Sequence, residues 1–193
     1  MCVSIERLFC LTSQQAISVE PRASGKGIFS REDAAGVIAM VQHVNPIGVK
    51  VLEAKIGGNH NSGAELAHAL TATFEARNVH PKAAKALAFM AVTEVCGAHT
   101  CPKCNGVGSI DSRGRPCRAC QGSGIKNVRS VTLMTATFNG LSGLQISEQQ
   151  FSQIYYDVYM EAIDELYQQE GEAAKYAASV LRLVQAESEV VNG

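Results

Sequence analysis

Four cysteines in one short stretch are the residues best suited to chemistry. Cys101 and Cys104 form one C-x-x-C pair, and Cys117 and Cys120 form a second. Each pair opens the same pattern, C-x-x-C-x-G-x-G, with Gly106 and Gly108 in the first copy and Gly122 and Gly124 in the second. Two residues between paired cysteines let both sulfurs reach one metal ion, and four thiolates close a tetrahedral zinc site. The glycines permit the positive φ values that follow such a knuckle. A short hairpin turning at Asp111-Ser-Arg-Gly114 is expected between the pairs. With all four positions filled by protein, no site remains for a reactive water, so one structural zinc is expected. Cys2, Cys10 and Cys96 stand apart, and each reads as an ordinary buried thiol. The total of seven cysteines is odd, and paired CxxC motifs without a secretion signal argue against a disulfide framework.

No catalytic constellation accompanies the metal motif. His43, His60, His68, His80 and His99 are scattered and read as helix-surface or cap residues. The chain lacks a Walker loop, a GxSxG elbow and an HExxH pair. The protein is therefore not expected to be an enzyme, and no small-molecule substrate is implied.

Charge is distributed unevenly. The formal net charge is −1, but residues 101–147 carry +5 and residues 148–193 carry −7. Lys103, Arg113, Arg115, Arg118, Lys126 and Arg129 supply the basic segment. A rigid basic finger suits phosphate contacts, so nucleic acid is the expected partner on this side. No apolar run reaches the roughly 20 residues of a membrane span, and Glu6 and Arg7 interrupt the N-terminal apolar stretch. A soluble protein of the cytoplasm is expected, with no membrane partner.

The elements that must position the finger read as helices. Residues 1–29 are of mixed character: Val3–Leu11 fits a short strand or helix, and Pro21, Ser24, Gly25 and Gly27 look like flexible linker. Residues 30–78 form the N-terminal helices. Ser30 caps the first, and Asn45-Pro46 ends it and starts the second, which stops at Gly57-Gly58. A third helix is expected over Ser62–Arg77. In 79–193, a helix runs from Pro81 to Gly97, the finger occupies 101–124, and Val128–Phe138 suits strand or helix. Ser147 and Gln150 form a capping box ahead of an amphipathic helix. Gly171 is expected to break that helix before a last one over Glu172–Ala186. The fold class is mainly α, a helical domain with an inserted four-cysteine zinc finger of small β-hairpin or knuckle type.

The duplicated CxxCxGxG resembles the zinc region of Hsp40-type co-chaperones, which carry four repeats and a J-domain with a His-Pro-Asp loop. This chain has two repeats and no His-Pro-Asp, so that resemblance covers the finger alone; it implies, as the alternative function, a co-chaperone or protein-interaction module. Over about residues 30–190 the order of elements is more similar to the lambda-type phage antitermination protein Q family. The matching features are a helix ending in a small-residue turn, CxxCxGxG, a basic linker, a second CxxCxGxG, and further helices with an acidic C-terminal region. The resemblance implies a DNA-binding factor that binds double-stranded DNA at the late promoter and engages host RNA polymerase so that it reads through terminators in the bacterial cytoplasm. It also implies a helix-turn-helix interrupted by the finger. Pro81–Cys96 would be its first helix and a helix from Ser147 its recognition helix, with Gln149, Gln150 and Gln153 on the first turns. Gln bonds adenine bidentately in the major groove. The chain departs from the family pattern at Val128–Phe138.

Overall fold

The computed structural model describes residues 5–12, 31–97, 101, 103–104, 107, 109–111, 114–118, 120, 122–123 and 130–191. Eight helices follow one another among them: α1 (Ile5–Thr12), α2 (Arg31–Val44), α3 (Pro46–Lys55), α4 (His60–Ala76), α5 (Pro81–Cys96), α6 (Val131–Ser142), α7 (Glu148–Ile154) and α8 (Tyr156–Val191). The chain groups into two compact units. One joins Met1–Ala67 to Ala162–Gly193, and the other is His68–Glu161. The sequence places a boundary at 78/79 and leaves the C-terminal helices with the finger; in the fold, the end of α8 packs with the N-terminal helices.

The first unit is built on small apolar residues. Leu8 and Phe9 of α1, Val37 and Val41 of α2, Val49 and Leu52 of α3, and Ala173, Ala177 and Leu181 of α8 share one core. The α1 segment, open between strand and helix in the sequence, is a helix. Asn45 is the polar hub of this unit. Its Oδ1 accepts from the Gly48 N–H at 2.9 Å, capping α3 ahead of Pro46, and its Nδ2 donates to the Gln169 carbonyl at 3.3 Å. Gly48 lets the two helices meet: a Cβ there would lie 2.2 Å from the Gln169 carbonyl oxygen and 2.6 Å from the Ala173 Cβ. Alongside, Lys55 Nζ sits 2.9 Å from Glu170 Oε1 and 5.4 Å from the centre of the Tyr167 ring.

These contacts explain why Gly171 does not end the helix as expected. A mid-helix glycine costs about 0.5–1 kcal/mol relative to alanine. Gln169, Glu170 and Ala173 on either side are all anchored to α3 or its cap. Burial at Ala177, Val180 and Leu181 continues the same face, and the helix runs on to Val191.

In the second unit, α4 gives way to α5 through Asn78, the described non-glycine residue at positive φ (62°). Asparagine tolerates the left-handed region better than most residues. His80 caps α5, its Nδ1 accepting from the Lys82 N–H, and Pro81 takes the first helical position. α5 buries Ala83, Ala84, Leu87, Ala88, Ala91 and Val95, and α6 packs against it. The segment 131–142, ambiguous in sequence, is therefore helical: its β-branched residues are overruled by packing of Met134 and Phe138.

α6 ends at Gly143, in the left-handed region at φ 69°. Asn139 then grips the following turn, with Nδ2 donating to the Ile146 carbonyl and Oδ1 accepting from the Ile146 N–H. The capping box forms as expected, with Ser147 Oγ accepting from the Gln150 N–H and Gln150 Oε1 accepting from the Ser147 N–H. Phe138, Phe151 and Tyr155 stack as a trio with centroids 5.0–6.4 Å apart. The uninterrupted helix expected from Ser147 is instead divided at Tyr155, whose φ of −117° departs from helical geometry while its ring is held in the trio.

Two glycines in helices should respond with opposite signs. Gly48→Ala should destabilise the protein by about 2 kcal/mol, because backbone and a packed alanine must move apart. Gly171→Ala meets nothing within 4 Å and should stabilise by about 0.5–1 kcal/mol. Thermal and urea unfolding of both variants checks the pair.

Candidate metal centre

The finger folds around its sulfurs. Cys101, Cys104, Cys117 and Cys120 are 1%, 8%, 1% and 2% exposed and form a buried cluster of their own. Their Sγ atoms all lie within 4.8 Å of one another. Cys101 and Cys117 are 3.9 Å apart at sulfur, and Cys104 and Cys120 are 3.7 Å apart. A tetrahedral zinc with Zn–S bonds of about 2.3 Å sets neighbouring sulfurs about 3.8 Å apart. Disulfide sulfurs lie at about 2.05 Å, so these four are spaced for a shared ion and not for cross-links. The donor set therefore fits one zinc, with a thiolate at each position and none left for water.

Local hydrogen bonds shape each half. The Val107 N–H donates to the Cys104 carbonyl at 3.0 Å, and the Ser123 N–H donates to the Cys120 carbonyl at 3.0 Å. These equivalent turns are the physical meaning of the sequence repeat. Gly122, at φ +86°, occupies a conformation that a side chain would strain. Between the halves the chain reverses. Ser109 bridges Pro116, and the Ile110 N–H donates to the Arg115 carbonyl at 3.0 Å. The expected hairpin is thus reduced to a single bridge, and no strand forms among the described residues.

Asp111 braces this reversal. Its Oδ1 accepts from the Arg115 N–H at 3.0 Å, and its Oδ2 accepts from Arg115 Nε at 2.6 Å. Gly114, at φ +74°, completes the turn. The sequence marks Asp111 as a turn residue, but its grip on Arg115 follows only from the i,i+4 geometry of the folded loop. Arg115, expected to serve DNA, is exposed yet held by this carboxylate.

The other predicted contact residues are placed as follows. Lys103 and Arg118, between the paired ligands, are exposed. Arg113, Lys126 and Arg129 lie outside the described residues. Gln149, Gln150 and Gln153 are exposed on α7, but the side-chain oxygen of Gln150 is engaged in the capping box. Cys96 is half-buried at the end of α5 and is not part of the sulfur cluster. Cys10, expected to be buried, is exposed on α1, where Leu8 and Phe9 take the inward positions. Cys2 lies outside the described residues. His43, His60 and His68 lie on the surfaces of helices and His80 is a cap, as the sequence indicates; His99 lies outside the described residues. No described helix is long and apolar enough to cross a membrane.

One family model matches the chain, over residues 2–100 and again over 98–186. Together the two stretches span both units and the finger. The chain belongs to the conserved hypothetical protein family CHP02642. The two matched stretches of that family meet at 98–100, immediately before Cys101. No curated protein matches the chain.

The purified protein should carry one zinc per chain. Cys117→Ser should lose the metal and unfold the finger, whereas Cys96→Ser should retain both. Because the ligands bind as thiolates, acidification should release the ion. Elemental analysis across these variants and a falling pH series checks the assignment.

Proposed function

We propose that the protein is a DNA-binding transcription antitermination factor, similar in role to the lambda-type Q proteins and not an enzyme. It binds double-stranded DNA at a late promoter and engages host RNA polymerase so that terminators are read through. The observation that carries this reading is the position of the four-sulfur finger, inserted between two helices, α5 and α6, that pack on each other. A metal-locked basic insert on a helical pair supports contact with a charged polymer more readily than catalysis.

Within this reading, Lys103 and Arg118 contact phosphate, and Arg115 presents its remaining guanidinium nitrogens from the brace on Asp111. Such contacts set position and affinity but carry no sequence information. Recognition falls to α7. In this reading α5 is the first helix of the finger-interrupted helix-turn-helix and α7 its recognition helix, with Asn139 and the aromatic trio fixing the turn that leads into α7. Gln149 and Gln153, one turn apart, read adenine edges. Gln150 keeps its oxygen in the cap and so sets the start of the reading helix. The exposed carboxylates of α8, such as Asp157, Asp164 and Glu165, repel phosphate, so in this reading that surface faces away from the duplex.

Footprinting on phage late-promoter DNA, with and without host polymerase, tests the proposal. The double variant Gln149→Ala/Gln153→Ala should lose the specific footprint, with affinity for the site falling roughly 10- to 100-fold. Lys103→Ala and Arg118→Ala should weaken binding to all sequences alike and flatten the salt dependence by about 0.9 per lost contact. A wild-type protein that retains zinc but ignores duplex DNA would overturn the proposal in favour of a protein-binding finger.

A further inference from the structure

α5 sorts its side chains in an unusual way. Its buried side includes Ala83, Ala84, Ala86, Ala88 and Ala91, while its largest apolar residue, Phe89, is 54% exposed. Two cations share the outer side with it. Lys82, Lys85 and Phe89 are all exposed. At about 100° per residue they fall within an arc of roughly 60°, and Thr93 extends the same stripe. Lys85 lies about 4.5 Å along the axis from Lys82, and Phe89 about 6 Å farther. Among the described residues neither lysine is held in an ion pair. The acidic residue of this helix, Glu94, lies about 120° around from Lys82, off the stripe.

We infer that this stripe binds a single-stranded segment of nucleic acid, with phosphates on Lys82 and Lys85 and an unstacked base on the face of Phe89. Two unpaired cations beside an exposed ring match a polymer that alternates negative charge with flat aromatic faces. A duplex would have to unstack a base step, at an energetic cost, to use the ring, whereas a single strand offers free base faces. The stripe uses none of the finger or α7 residues assigned above to duplex DNA, so it extends the proposed function without resting on it.

The test uses the zinc-loaded full chain and fluorescence anisotropy with labelled oligo(dT), oligo(rU) and a duplex. Wild type should bind at least one of the single strands, and Phe89→Ala should weaken that binding about tenfold. Lys82→Ala/Lys85→Ala should reduce the salt slope by about 1.4, or about 0.7 per phosphate contact. The chain contains no tryptophan, so Phe89→Trp supplies a unique fluorophore, whose emission should be quenched when the oligonucleotide stacks on it. Absence of single-strand binding by wild type, affinity of Phe89→Ala within twofold of wild type, or unchanged emission from Phe89→Trp would each overturn the inference. Loss of polymerase binding by Phe89→Ala with oligonucleotide affinity intact would also overturn it, making the stripe a protein-docking face. Loss of duplex binding alone, with Phe89-dependent single-strand binding retained, would overturn the duplex reading and support this one.

Discussion

The finger depends on four sulfur atoms because little else among its described residues can hold it. Its buried cluster is made of the ligands themselves, and its described backbone pairing amounts to one bridge and a few turn hydrogen bonds. Burying four thiolates, all within 4.8 Å of one another, would be strongly unfavourable without a cation among them. A bound cation would therefore supply what a hydrophobic core supplies elsewhere, letting the insert stay small and keep Lys103, Arg115 and Arg118 exposed. The helices carry no such constraint and fold on ordinary apolar packing.

The two units solve a shared problem, burial with few aromatic residues, in different ways. The first presses α3 onto α8 through a glycine and an alanine, and satisfies the buried amide of Asn45 across that contact. The second clusters three aromatic rings, where Phe138, Phe151 and Tyr155 tie α6 to the segment after it. Asn139 does for that turn what Asn45 does at the α2–α3 junction. In both, one side-chain amide bonds backbone groups at a helix junction, including the Gly48 N–H at the start of α3 and the Ile146 N–H before α7.

Local chemistry was the legible part of the sequence. The cysteine spacing announced the four-sulfur cluster, Asn45-Pro46 announced a helix boundary, and Ser147 with Gln150 announced a cap, because each signal acts over a few residues. Periodicity also marked which faces are buried. It did not say against what: the partnership of α8 with the N-terminal helices joins segments far apart in the chain and left no mark in any local window. Gly171 and Tyr155 show the same limit from opposite sides. A residue with poor helix propensity is carried through by anchored neighbours, and a strongly periodic stretch is interrupted where an aromatic side chain is held by another helix.

The reach of Asn45 across to Gln169 also has a temporal side. The separation between them is 124 residues, and every contact of α3 with α8 must wait until the 162–191 segment has left the ribosome. Residues 68–161, by contrast, are contiguous and have all their internal partners earlier. During synthesis the finger-bearing unit can close while α1, α2 and α3 still lack their final layer. Until α8 arrives, the Gly48 surface and the apolar sides of α2 and α3 are open to water, and that interval is when the chain is most exposed to misassembly.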